Sequence, residues 1–172
     1  MKALSKDDIV NALQQLSAEL GSGGSPHERV IAGGAALVLL YGARASTRDV
    51  DAVFSDVAVR DAARRIADRL DLPADWLNDG VKGFLHGLAL GDVVMETPAL
   101  IVRTIAPKQL LAMKLCAWRD DLDIADARLL LSKIPGDREQ VWQQAKPYVV
   151  PGRELKARYA FDDLWESEHG PP

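Results

Sequence analysis

Two carboxylates flank one valine in the stretch STRDVDAVF, Ser46 to Phe54, just before an apolar run. In an extended strand residues i and i+2 point to the same side, so Asp49 and Asp51 face one way and Val50 the other. Their charges repel unless a divalent cation lies between them, and Mg²⁺ prefers one or two carboxylates together with substrate phosphate oxygens. The pair therefore predicts a site for Mg²⁺ (or Mn²⁺) and a phosphate-bearing ligand.

Two glycines, Gly33 and Gly34, precede a helix-forming run from Ala35 to Tyr41. Glycine lets the backbone approach a ligand closely, and the free amides at the start of a helix attract an anion. Each signal alone is common, but the conjunction is more specific. We expect the glycines to cradle phosphate while Asp49 and Asp51 hold metal.

The elements that position these residues follow from capping and hydrophobic periodicity. The first helix begins at a capping box of Ser5 and Asp8. The GSGGSP stretch, residues 21–26, predicts a flexible connection and not a phosphate loop. The remaining predicted elements are a strand at Val30–Ala32, the GG turn and its helix, the acidic strand, a helix to about Leu70 capped by Ser55 or Asp56, a short capped helix or turn in PADWLNDGVKGFL, two strands within LALGDVVMETPALIVRTI, and helices from Pro107 onward.

This order predicts an α+β fold with a small mixed sheet flanked by helices and a helical C-terminal part. We expect one domain over residues 1–172, with a core at about 28–106 and the helical part at about 107–168. No repeat or linker divides the chain.

Composition limits the classes of function. With 48% hydrophobic and 27% charged residues the chain is globular, and its net charge of -4 argues against a broad phosphate-binding surface. The single cysteine, Cys116, lies in an apolar run and is expected in the core. No residue run resembles a signal peptide or a membrane span, so we expect a cytoplasmic protein.

The run GGAALVLLYGARASTRDVDAVF resembles the signature of the polymerase-β-like nucleotidyltransferase superfamily, and within it the AbiEii-type toxins of toxin–antitoxin pairs. The resemblance implies that fold and makes Ser46 and Thr47 contacts for nucleotide phosphates, although either hydroxyl also suits turn chemistry. Arg44 and Arg48 bracket the hydroxyls and either neutralise a triphosphate or nucleic-acid backbone or pair with nearby acids.

A second run, LLAMKLCAWRDDLDIADARLLL, resembles the same group in its Lys helix, its Arg and its Asp-x-x-Asp. Lys114 and Asp126 both project from apolar helix faces, where an unpaired charge is costly. They either form a structural ion pair or, as the resemblance implies, belong to the active site with Lys114 on the nucleotide phosphates. Asp123 is the weaker candidate, expected to pair with Arg119.

The strand ALIVRTI lacks the third carboxylate that many polymerase-β-like enzymes carry, which leaves Asp92 and Glu96 on the preceding strand as substitutes or as hairpin-rim charges. The resemblance implies a metal-dependent nucleotidyltransferase toxin with an NTP donor, tRNA as favoured acceptor and a cognate antitoxin as partner. The alternatives are a protein or small-molecule acceptor, or a non-catalytic nucleotidyltransferase-like binding or antitoxin module.

Overall fold

A computed structural model describes residues 3–21, 26–54 and 56–170. The predicted connection at residues 21–26 and the Ser55 alternative for the helix cap therefore lie wholly or largely outside the described residues. The chain divides into two compact units, Met1–Gly83 with Leu90–Ile105, and Phe84–Ala89 with Ala106–Pro172.

The first unit holds the sheet and three α-helices. In chain order its elements are β1 (Leu4–Ser5), α1 (Lys6–Leu20), β2 (His27–Ile31), α2 (Gly33–Tyr41), β3 (Ser46–Thr47), β4 (Val50–Val53), α3 (Val57–Leu70), β5 (Leu77–Asn78), β6 (Leu90–Glu96) and β7 (Leu100–Ile105). A 3₁₀-helix, Gly80–Phe84, follows β5.

Five strands form a mixed sheet in the order β5-β4-β2-β7-β6, and β1 pairs separately with β3. Strand β2 is central: it runs antiparallel to β4 and parallel to β7, and β4 runs parallel to β5. Strand β4 alternates as its sequence predicts, with Val50, Ala52 and Phe54 buried while Asp51 is half-buried. One face of β4 thus packs into the core and the other presents the acidic side chain.

Local capping explains where the flanking helices begin. Ser5 and Asp8 form the predicted capping box of α1, and the Asp56 carboxylate accepts a hydrogen bond from the amide of Ala58 to cap α3. Helices α1 and α3 pack against each other, and α2 packs against β4.

The second unit is helical. Its elements are α4 (Pro107–Ala117), α5 (Asp121–Leu131), α6 (Arg138–Ala145), a 3₁₀-helix (Lys146–Tyr148) and α7 (Glu154–His169). Helix α4 is central and packs against α5, α6 and α7. Pro107 stands in the first turn of α4, as the sequence predicts, and the Asp120 carboxylate caps α5 by accepting a hydrogen bond from the Asp123 amide.

The α+β prediction is confirmed: the described residues form seven α-helices and a small mixed sheet. The Cys116 prediction is also confirmed, since its side chain is buried. Three strands were not predicted, because β1, β3 and β5 have two residues each and cannot show an alternating pattern. None of the described helices combines the length and apolar composition that a membrane span requires.

Candidate active site

The first glycine of the GG pair lies against the acidic strand. The Ala32 amide donates a hydrogen bond of 2.9 Å to the Asp51 carbonyl, which holds the end of β2 beside β4. Gly33 has a left-handed backbone with φ of 61°, and a Cβ added there would lie 2.9 Å from Oδ2 of Asp51. Both the backbone conformation and the approach of the carboxylate therefore require glycine. The sequence predicts a separate turn at the GG pair, but in the structure the two glycines form the first turn of α2.

The second glycine lies against a hydroxyl and a guanidinium. A Cβ added at Gly34 would come within 2.6 Å of the Thr47 hydroxyl oxygen and 3.2 Å of Nη1 of Arg44. Thr47 is buried and Arg44 is half-buried. The structure thus brings Gly33, Gly34, Arg44, Thr47 and Asp51 together at the start of α2.

The second carboxylate of the motif, Asp49, lies one residue before β4 and is half-buried. Its Oδ2 accepts a hydrogen bond of 3.2 Å from Nδ2 of Asn78. Burial raises the pKa of Asp49, and the hydrogen bond from Asn78 opposes that rise without cancelling it; Asp75 adds to the increase and Arg48 counters it. The site therefore holds Asp49 in surroundings that disfavour an uncompensated negative charge.

The other predicted residues lie around this group or away from it. Ser46 is half-buried and opposite Ser5 in the β1–β3 pair, and Arg48 is exposed between β3 and β4. Asp92 and Glu96 are exposed on β6, an edge strand separated from β4 by β7 and β2. Three strand spacings amount to roughly 14 Å, so these two acids do not stand in for the third carboxylate.

Lys114 and Asp126 belong to the second unit, where they form the predicted ion pair. The Lys114 Nζ lies 2.7 Å from Oδ2 of Asp126 and 2.8 Å from Oδ1 of Asp123. The exposed fractions of these side chains are 13% for Lys114, 4% for Asp123 and 2% for Asp126, so the cluster is almost wholly desolvated. The structural interpretation of the pair is confirmed, and its role in the active site stays a prediction.

Asp123 is more central than the sequence predicts. Besides the expected contact with Arg119 at 3.1 Å, it shares Lys114 with Asp126. Burial favours the neutral form of Asp123, but hydrogen bonds from Lys114 and Arg119 outweigh that effect and lower its pKa. Its carboxylate is therefore held in the charged form.

Asn78 was not among the predicted site residues. It lies in the two-residue strand β5, within a segment that reads as a turn, and β4 pairing places it directly opposite Asp51. The available signal was the polar pair that follows the apolar Trp76 and Leu77, which is too short to distinguish a strand from a turn.

One family model matches this chain. A family model described as "Nucleotidyltransferase of unknown function (DUF6036)" matches residues 8–134, which include both acidic motifs. The chain belongs to this nucleotidyltransferase family. No curated protein and no solved structure matches it.

Membership of the nucleotidyltransferase family agrees with the mixed α+β fold, and the match covers all five strands of the sheet as well as α4 and α5. Within the residues that the structure describes, no group of three or more His, Cys, Asp or Glu side chains has the geometry to hold a metal ion. Asp49 and Asp51 stay the predicted metal-binding pair.

Proposed function

We propose that the protein transfers a nucleoside monophosphate from an NTP to an acceptor hydroxyl and releases pyrophosphate. The observation that carries this proposal is the convergence of the GG pair with the acidic strand. The Asp51 carboxylate lies against Gly33, and the Thr47 hydroxyl and Arg44 guanidinium lie against Gly34. Carboxylates for a cation and donors for a phosphate are thereby adjacent.

The residues present fit a Mg²⁺ or Mn²⁺ ion. Asp49 lies one residue before β4 and Asp51 lies within it, and both are half-buried. Their i, i+2 spacing favours the same side of the extended chain, and their carboxylates are hard oxygen ligands. Such an ion, when bound, neutralises phosphate charge and polarises the phosphorus under attack. A cation held by two carboxylates takes its remaining ligands from water and substrate oxygens, which suits a triphosphate.

The phosphate contacts come from the start of α2 and the β3 turn. The Gly34 backbone, the Thr47 hydroxyl and the Arg44 guanidinium supply three different kinds of hydrogen-bond donor, and α2 directs its amide dipoles toward an anion. Ser46 and Arg48 extend this set from the same turn. We further propose that Lys114 contributes to phosphate binding, a role implied by the family resemblance alone.

The reaction forms one bond and breaks one. The acceptor oxygen attacks the α-phosphorus and releases its proton, and the bond between the α-phosphorus and the oxygen bridging to the β-phosphate breaks. Positioning and charge stabilisation supply most of the catalysis in such transfers. The chain's residues therefore need to align the triphosphate more than to react with it.

We propose tRNA as the acceptor and a toxin role, of the AbiEii type, with a cognate antitoxin as partner. This part depends on the resemblance of the two motifs and not on a basic surface. In helix α3, Arg60 pairs with Asp79 at 3.2 Å, while Arg65 and Arg69 pair with Glu19 at 2.6 and 2.8 Å. Those arginines are already engaged, so contacts to a nucleic-acid backbone would have to compete with these pairs.

An acceptor screen tests the proposal. Purified protein is incubated with Mg²⁺, each NTP labelled at the α-phosphate, and either total tRNA or total protein. Label that enters RNA supports the proposal, and label that enters protein identifies the alternative acceptor. NTP binding without transfer to any acceptor would instead favour the non-catalytic module, an alternative kept open by the presence of two carboxylates and not three.

The glycine cradle makes a separate prediction. Gly34→Ala places a methyl group 2.6 Å from the Thr47 hydroxyl oxygen, so Thr47 and Arg44 must shift. Overpacking usually costs about 1–3 kcal/mol. Because the displaced Thr47 and Arg44 must return to their positions to bind the nucleotide, we expect NTP binding to carry this cost and to weaken roughly 5- to 150-fold. Isothermal titration calorimetry measures the affinity. The matched control is Gly83→Ala, because a Cβ at Gly83 meets no atom within 4 Å.

A double variant identifies the cause of that loss. In a Thr47→Ala background the clashing hydroxyl is absent, so Gly34→Ala should weaken binding less than it does in the native chain. If Gly34→Ala binds NTP as tightly as the native protein, the cradle does not contact the nucleotide.

A further inference from the structure

The Asp49 carboxylate takes its hydrogen bond from an asparagine that the nucleotidyltransferase motif does not include. Nδ2 of Asn78 donates to Oδ2 of Asp49 at 3.2 Å. We propose that Asn78 is a positioning residue, which fixes the Asp49 carboxylate in the orientation that binds the divalent cation. This inference rests on the proposed function and names the residue that prepares its metal site.

The direction of the hydrogen bond is fixed at both ends of the amide. The Gly80 amide donates to Oδ1 of Asn78 at 2.9 Å, which identifies that atom as the oxygen and leaves Nδ2 facing Asp49. With the amide reversed, its oxygen would face a carboxylate oxygen and its NH₂ would face an N–H group. Asn78 is therefore a donor to Asp49, and its oxygen is already engaged.

The backbone of Asn78 is anchored by the sheet. Strand β5 pairs in parallel with β4, with Leu77 opposite Val50 and Asn78 opposite Asp51, and the Val50 amide donates to the Trp76 carbonyl at 2.6 Å. Trp76 is fully buried, and its indole N–H donates to the Ala63 carbonyl at 2.9 Å. The residues before Asn78 are thus fixed by core packing.

The residues after Asn78 are also held. Asp79 pairs with Lys82 at 2.9 Å and with Arg60 at 3.2 Å, and Lys82 also donates to the Phe54 carbonyl at the end of the acidic strand. Anchoring on both sides leaves the Asn78 side chain little freedom. A donor held this rigidly loses little conformational entropy when it orients a carboxylate.

Among the residues that the structure describes, Asn78 alone donates a hydrogen bond to the Asp49 carboxylate, and none forms an ion pair with it within 4 Å. Metal-binding carboxylates are commonly oriented by such outer hydrogen bonds, whose loss weakens metal affinity about 10- to 100-fold. By donating to Oδ2, Asn78 would hold the Asp49 carboxylate in one orientation, ready to supply an oxygen ligand to the cation.

The test measures Mn²⁺ binding without turnover, by electron paramagnetic resonance of the full chain in the presence of a non-hydrolysable NTP analogue. Asn78→Ala should weaken Mn²⁺ binding about 10- to 100-fold. Asn78→Asp should also weaken it, because a carboxylate cannot donate to Asp49 and repels it. Asn11→Ala, an exposed asparagine on α1, serves as the matched control and should bind Mn²⁺ like the native chain.

Several results would overturn the inference. Native Mn²⁺ affinity in Asn78→Ala, with or without a lower unfolding temperature, would mean that Asn78 has at most a structural role. Tighter binding in Asn78→Asp would mean that position 78 ligates the metal directly. Asp49→Ala separates this inference from the proposed function. Unchanged Mn²⁺ binding in Asp49→Ala would mean that Asp49 does not bind the metal, which contradicts the proposed metal site independently of Asn78.

Discussion

Replacing Asp51 by asparagine is expected to lower the rate of nucleotidyl transfer by at least about 10³-fold, the upper end of what loss of one charge-stabilising group costs an enzyme. Asparagine has nearly the same size as aspartate, so it preserves the close packing against Gly33, where Oδ2 of Asp51 lies only 2.9 Å from the position that a Cβ would take. What is lost is the negative charge that, with Asp49, attracts a divalent cation. Without that cation the triphosphate charge is left uncompensated.

The measurement is initial rate at saturating NTP, with α-labelled substrate and the acceptor found in the screen. Asp68→Asn is the control, because Asp68 is an exposed aspartate on α3. It should keep the native rate and the native unfolding temperature. A transfer rate in Asp51→Asn within about tenfold of the native rate, a change of 1.4 kcal/mol or less in the barrier, would exclude Asp51 from catalysis.

Replacing Lys114 by methionine is expected to lower the free energy of unfolding by about 3–5 kcal/mol at pH 7, the usual consequence of removing one partner from a buried ion pair. Methionine keeps the chain length and apolar stem of lysine but leaves Asp123 and Asp126 without the ammonium that lies 2.8 and 2.7 Å away. Both carboxylates are almost fully buried, so water cannot replace it.

The effect should depend on pH in a defined direction. The pKa of Asp123 is lowered in the folded protein, so its stabilising contribution is present above the unfolded value near 3.9 and is lost as the pH falls through the lower folded value. The stability gap between the native chain and Lys114→Met should therefore be widest near neutral pH and narrow below about pH 4.

Urea denaturation followed by circular dichroism at neutral and acidic pH measures this gap. Lys146→Met, at an exposed lysine, should leave stability within about 0.5 kcal/mol of the native value. Adding Asp126→Asn to Lys114→Met should recover part of the loss, since it removes the buried negative charge at position 126 while Asp123 keeps its contact with Arg119. A Lys114→Met protein as stable as the native chain at pH 7 would contradict the assigned ion-pair cluster.

The sequence predicts the acidic strand and its partners well because the physical signals there are local. The alternation of Val50, Asp51 and Ala52 specifies which side chains enter the core, and the Ser5–Asp8 capping box specifies where α1 begins. The sequence predicts that the GG pair, Thr47 and Arg44 bind the same ligand. It does not predict that the glycines pack directly against Thr47 and Arg44. That contact depends on the packing of α2 against β3, a tertiary arrangement that no local pattern encodes.

Asn78 and Asp123 show what the sequence could not provide. Strand β5 has two residues, so its pairing with β4, and with it the Asn78–Asp49 hydrogen bond across 29 positions of sequence, depends on tertiary structure. Asp123 lies one turn before Asp126, and only the packing of α4 against α5 shows that one lysine serves both. In both cases a long-range contact assigns the role, and residue type alone does not.

Paired reactions with one NTP, labelled at the α-phosphate or at the γ-phosphate, show whether the two carboxylates and the GG pair carry out nucleotidyl transfer. We expect the native protein to incorporate the α-label and not the γ-label and to release one pyrophosphate for each α-label incorporated. Asp51→Asn should lose both signals. Incorporation of the γ-label, or α-label transfer that persists in Asp51→Asn, would contradict the proposed function.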